Sequence, residues 1–175
     1  STIFDPSIVN LFFSDNAANA TIKGVEGDFT YYTNVEGLSI AGAFSILNTN
    51  IDDSLVPTND VVVGTDLAFA PGHQGNIRVR KETGMSGGNV GHVQVQFTFS
   101  DKSFSDIMGP NKAEQDSYSY IDLRAGISND ELTAELYVDN VTDERAEISN
   151  TFVFDRQRIT YIRPTTIGIR VKKNF

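Results

Sequence analysis

Gly84-Met85-Ser86-Gly87-Gly88 has the spacing G-x-S-x-G. In that pattern a serine on a sharp strand-to-helix turn attacks an acyl carbon. His92 follows six residues later as a base, and many carboxylates are available to orient it. A nucleophile elbow requires a helix after the turn. Here a second alternating segment follows, so the run reads more simply as a glycine-rich hairpin between residues 78–83 and 90–100. Ser86 and His92 therefore define one alternative, a small serine esterase. No residue is favoured for covalent chemistry.

The remaining chemistry-bearing residues are sparse. His73 and His92 are the only histidines and lack a zinc spacing, and there is no cysteine, so no metal centre is expected. Asp52, Asp53, Asp60 and Asp66 share one segment with oxygen ligands that suit calcium, but without EF-hand spacing they read as an acidic solvated loop. No cofactor motif is present. The net charge of -9 argues against nucleic acid. The charge is polarised: residues 1–70 hold nine acidic residues against Lys23 alone, whereas residues 156–173 hold six basic residues and no acidic one. Such asymmetry marks two solvated surfaces, or the acidic rim and basic inner wall of a barrel.

The elements that must position these residues are strands. The chain has 175 residues, 39% of them hydrophobic, and a mean hydropathy of -0.22. No stretch approaches the roughly 20 apolar residues of a spanning helix, a test that β-barrels escape. Period-two alternation is clearest over residues 90–100, where Val93, Val95, Phe97 and Phe99 oppose His92, Gln94, Gln96 and Thr98. Its length matches the roughly 9–11 residues that cross a bilayer as a tilted strand. Segments 29–32, 38–46, 120–127, 132–139 and 166–175 alternate in the same way. Turn residues at 33–37 and 128–130 are short; residues 48–66 and 100–117 read as longer exposed loops. The expected fold is all-β, an antiparallel up-and-down meander or barrel of about eight strands. Residues 1–175 form a single barrel domain or barrel segment.

Which face is inside decides the class. Apolar-in gives a soluble, lipocalin-like barrel binding an apolar ligand. Apolar-out gives a membrane barrel with a polar lumen, and the regular phenylalanine and aliphatic faces favour it. Gln94, Gln96 and Arg124 are then the candidate ligand-facing groups of the lumen. Tyr31, Tyr32, Tyr118, Tyr120, Tyr137 and Tyr161 fall near strand ends, where aromatic girdles form.

Four motifs then carry a family resemblance. Gly24-Val25-Glu26-Gly27-Asp28 resembles a "GVE" strand start, and Ala70-Pro71-Gly72-His73-Gln74-Gly75-Asn76 resembles an "AP.HQ.N" turn. Tyr137-Val138-Asp139-Asn140-Val141-Thr142-Asp143-Glu144-Arg145 resembles "V.NLFDERY", and Tyr161-Ile162-Arg163-Pro164-Thr165-Thr166-Ile167-Gly168-Ile169 resembles an "RPRTIGL" final strand. Their order and the terminal Phe175 make the chain similar to the C-terminal barrel portion of TonB-dependent outer-membrane receptors. The resemblance covers residues 20–175. It implies uptake of iron chelates, vitamins or glycans across the bacterial outer membrane, driven by an inner-membrane energy-coupling complex. Phe175 is then the assembly signal, and Lys173 departs from the usual apolar residue of that face, where it would snorkel. A full receptor adds a plug domain, a TonB-box peptide and about 22 strands, of which roughly a third are here. The implied surroundings are the outer membrane or detergent, and the remainder of a receptor chain or a second copy joined through open sheet edges. The small-molecule ligand is unnamed. A start at Ser1 fits both a mature product and an excised piece.

Overall fold

Alternation makes strands because successive Cβ atoms leave an extended backbone on opposite faces. The computed structural model describes residues 2–4, 12–14, 16–56, 60–153 and 156–174. Thr2–Phe4 (β1) pairs with Phe12–Ser14 (β2). Ala18–Tyr32 (β3), Leu38–Ser54 (β4), His73–Gly84 (β5) and Val90–Ser100 (β6) follow as successive hairpins. Ser103–Phe104 (β7) and Glu114–Gln115 (β8) form a small pair before Tyr118–Ser128 (β9) and Leu132–Asp139 (β10). A separate hairpin of Glu147–Val153 (β11) and Arg156–Tyr161 (β12) precedes Thr166–Lys173 (β13).

The main sheet has seven strands in the order β13-β10-β9-β6-β5-β4-β3. Every neighbour is antiparallel, so the fold is the expected all-β meander. Among the described residues the sheet is open, with β3 and β13 at its edges. Short turns gather at one end. Thr33 N–H donates to the Leu38 carbonyl at 3.0 Å, and Asn129 Oδ1 accepts the Glu131 and Leu132 amides. Long loops 55–72, 101–117 and 140–165 gather at the other.

Several boundaries differ from expectation. Residues 48–54 belong to β4, because β3 and β4 run past the sheet as a two-stranded ribbon with a bulge between Asn19 and Ala20. Polar residues on both ribbon faces hide the alternation there. Residues 100–117 are not a plain loop either: β6 runs to Ser100, and β7, β8 and a turn at Gly109–Asn111 give the rest an internal frame. Gly24-Val25-Glu26 lies inside β3 rather than at its start. Phe175 lies outside the described residues.

The two faces are opposite in character. On β6, Val93, Val95 and Phe97 are 56%, 47% and 41% exposed, while His92 and Gln94 are 6% and 9% exposed. Ile167, Ile169 and Val171 of β13 stand exposed on the same apolar side. The sheltered face is thus the polar one, the reverse of a lipocalin-like barrel. The buried apolar cluster of the described residues lies elsewhere. Ile51, wholly buried, packs with Ala17 and Val61 at the long-loop end, flanked by Leu67, Ile107 and Met108.

Candidate functional site

The register stacks the polar face into rows. One row runs Thr30, Ala41, Arg78, Gln96, Asp122. The next runs Tyr32, Ser39, Arg80, Gln94, Arg124, Tyr137, Gly168. The third runs Glu82, His92, Gly126, Glu135, Arg170. The expected ligand-facing residues Gln94, Gln96 and Arg124 therefore lie in adjacent rows of one face, with Gln94 directly opposite Arg124.

The centre of the third row is an ion-pair network. His92 Nε2 lies 3.1 Å from Glu135 Oε2, with side chains only 3% and 11% exposed. The other Glu135 oxygen accepts from Arg124 Nη1 at 3.4 Å and Arg170 Nη1 at 3.2 Å. Arg124 Nη2 reaches Asp139 Oδ1 at 3.0 Å. Both guanidinium groups also sit 5.7 Å from the Tyr137 ring centroid. Two glycines open the space. A Cβ on Gly126 would stand 2.7 Å from His92 Cε1, so only glycine lets the imidazole cross β9 to Glu135. A Cβ on Gly168 would collide with the Tyr137 ring, which lies over that position. Neither device follows from alternation. The signal available in the sequence was glycine at a polar-face position facing a large side chain.

Asn140 is the second organiser. It is 3% exposed, with φ of 52°, a conformation asparagine tolerates better than most residues. Its Nδ2 donates to the carbonyls of Glu144 and Arg163, each at 2.9 Å, and its Oδ1 accepts the Glu144 amide at 2.9 Å. Thr165 Oγ1 donates to its carbonyl at 2.7 Å. The motif around Asn140 thus ties the start of the last long loop to its end. Nearby, the Thr165 backbone N–H, then Arg145, holds the Asp143 carboxyl below the usual carboxylate range. Arg145, Asp143 and Thr165 lie in the loop, beyond the strands.

The remaining residues fall into place around these clusters. His73 Nδ1 lies 2.6 Å from Asp101 Oδ2 and joins the bases of two long loops, as an organiser of its turn would. Ser86 sits in the turn Ser86–Gly88, where Gly87 and Gly88 adopt φ of 72° and 75°. A strand follows this turn, and among the described residues no hydrogen bond joins Ser86 to His92, whose Nε2 faces Glu135. The tyrosines do not form one girdle: Tyr31 is on the apolar face, whereas Tyr32, Tyr118, Tyr120 and Tyr137 are on the polar face. Tyr118 and Tyr120 stack at 6.3 Å. Two cavities open on the polar face. One, of about 580 Å³, runs between Glu26, Asp28, Ser45, Gln74, Asn76 and Thr98; the other, of about 240 Å³, lies beside Asp122, Arg124, Asp139 and Asn140.

The model of the family described as TonB dependent receptor-like, beta-barrel, matches residues 2–141. The chain belongs to the TonB-dependent receptors. No curated protein sequence matches it. Among solved structures it is similar to the ferric yersiniabactin uptake receptor FyuA from Yersinia pestis, with a TM-score of 0.74 and 18% identity over 91% of this chain and 24% of that one. The ferric preacinetobactin receptor BauA from Acinetobacter baumannii gives 0.70 and 15%, over 98% of this chain and 25% of that one. The ferric citrate transporter FecA in its unliganded form gives 0.68 and 16%, over 87% and 24%. At these identities the likeness is one of fold. The chain spans about a quarter of the length of these receptors. Its family is one of bacterial outer-membrane proteins, which explains a sheet that shelters charges and exposes phenylalanine.

Proposed function

We propose that this chain is the C-terminal barrel wall of an outer-membrane receptor that imports a small chelate, with iron chelates as the leading cargo and vitamins or glycans as the alternatives. The observation that carries the reading is the inverted sheet: an exposed apolar face opposite a sheltered, ion-paired polar face. In lipid such a sheet faces hydrocarbon outward and lines a lumen inward. Short turns then lie on the periplasmic side and long loops outside the cell. The open edges at β3 and β13 join the remaining strands of the receptor, because unpaired backbone is costly in hydrocarbon. Gln94, Gln96 and Arg124 line the route of the cargo, and Phe175 serves assembly.

The chain has no cysteine, so labelling of a cysteine introduced here is read as the difference from the unsubstituted full-length protein. In outer membranes containing the full-length protein, cysteines at Val93, Val95 and Phe97 are expected to react with a membrane-dissolved maleimide. Cysteines at Gln94 and Gln96 are expected to react with a charged aqueous one. The opposite alternation would overturn the reading.

A further inference from the structure

Ile51 is wholly buried at a point where β4 has already left β5, since the pairing of those strands stops at Ile46. Its side chain packs with Ala17 and Val61, and Leu67, Ile107 and Met108 close around them. The cluster therefore draws on three separate pieces of chain: the β3–β4 ribbon, residues 60–72 and residues 101–117. Backbone hydrogen bonds follow the same joins. The Ile51 N–H donates to the Thr65 carbonyl at 2.9 Å, and the Gly64 N–H donates back to the Ile51 carbonyl at 2.8 Å. The Leu47 N–H donates to the Gly72 carbonyl at 2.8 Å, and Thr49 Oγ1 accepts the Leu67 N–H at 3.1 Å. Between the two loops, the Gly109 N–H donates to the Asp60 carbonyl at 2.6 Å and the Phe69 N–H to the Phe104 carbonyl at 2.8 Å. Val61 also bridges Met108 in antiparallel fashion. Residues 101–117 are braced from within by Ser105, which is 5% exposed: its hydroxyl accepts the Ala113 N–H and donates to the Asn111 carbonyl, each at 3.1 Å.

The last long loop is built differently. Asn140 and Thr165 tie its two ends to each other, and β11 and β12 pair only with one another. β11 lies against β8. Among the described residues, however, no hydrogen bond or ion pair joins β11 or β12 to residues 60–72 or 101–117, and neither strand enters the buried cluster. A loop that shares a buried apolar cluster and backbone bonds with its neighbours cannot open alone, because its opening exposes the whole cluster; a hairpin without such joins opens by itself. We infer that the ribbon, residues 60–72 and residues 101–117 form one cooperative unit that opens only as a whole, and that the β11–β12 hairpin moves independently of it. On the receptor reading, which places these segments outside the cell, the outer mouth along this wall has a fixed side and one movable hairpin.

Hydrogen exchange read by mass spectrometry, on the full-length protein in detergent micelles, tests this with Ile51→Val, a change small enough to keep the fold. Protection is expected to fall by one common factor, about two- to tenfold, in residues 47–54, 60–72 and 101–117, and to stay unchanged in residues 147–161. Val61→Ala, made in the loop rather than the ribbon, is expected to lower the same three segments together. A loss confined to the segment that carries each substitution, or an equal loss in residues 147–161, overturns the inference. The cysteine alternation is read separately: if it holds while the losses stay local, the cooperative unit alone falls, and if it reverses while the losses are shared, the unit stands and its place outside the cell falls with the receptor reading.

Discussion

Replacing Glu135 tests whether the polar wall is held by its buried network. Three partners share this carboxylate, but unequally. The His92 pair is almost fully sheltered, so its loss costs about 1.5–3 kcal/mol, the range for a hydrogen bond to a charged group. The Arg170 pair has a guanidinium 62% exposed, and screening reduces it to about 0–1 kcal/mol. Arg124 contacts Glu135 at a long 3.4 Å and keeps Asp139 at 3.0 Å when Glu135 is gone. Glu135→Gln is therefore expected to cost about 3 kcal/mol, most of it at His92. Glu135→Leu should cost about 3–5 kcal/mol, because it leaves the buried His92 ring nitrogen facing an apolar side chain with no partner at all.

The assay is urea unfolding of the full-length protein in lipid vesicles, followed by circular dichroism, with Arg170→Gln as the internal control. A double-mutant cycle between His92 and Glu135 should return most of the Glu135→Gln loss as coupling. If Glu135→Gln costs under about 0.5 kcal/mol, or if Arg170→Gln costs as much, burial is not what sets the value of these contacts and the estimate is wrong.

Gly126→Ala should destabilise by about 1–3 kcal/mol, since the new methyl meets both His92 and the Ala134 carbonyl; an unchanged His92 ring signal in NMR would refute the crossing described for it. Asp143 gives a pH-dependent loop closure. Its native carboxyl is held below the unfolded value of about 3.9, so the stabilisation is full above that value and is lost as pH falls through the lower native one. Protection of the Thr165 amide from hydrogen exchange should drop over that acidic window, and a flat profile would contradict the Asp143 tie, as would an acid-induced loss retained in Asp143→Asn.

The strands were readable because alternation reports directly on which residues share a face. Residues 90–100 and 132–139 were found with their true limits, since both faces there keep one character throughout. The extension of β4 through residues 48–54 was not readable. Beyond the sheet neither face meets a uniform environment, so Asn48, Asn50 and Asp52 alternate with Thr49 and Ile51 and leave no binary pattern. Gln94, Gln96 and Arg124 were identifiable as one face by period alone. Their partners were not, because Glu135 reaches His92 from two strands away. That contact depends on a side chain that Gly126 lacks, and periodicity carries no information about missing atoms.

The placement of apolar burial follows from the same geometry. β6 and β9 have 11 residues each, close to what a tilted strand needs to cross a bilayer, whereas β3 and β4 have 15 and 17. The surplus lies entirely at the long-loop end, and there Ile51, Ala17 and Val61 bury one another as in a soluble protein. Within the shorter stretch that all seven strands share, no such cluster forms among the described residues: the apolar side chains lie exposed on one face and polar ones meet across the other. A sequence under selection to fold in water would place its largest aliphatic cluster where most strands overlap. That distribution is what the proposed membrane barrel requires: lipid would take the place of a core in the overlap, and among the described residues the buried apolar cluster lies beyond it.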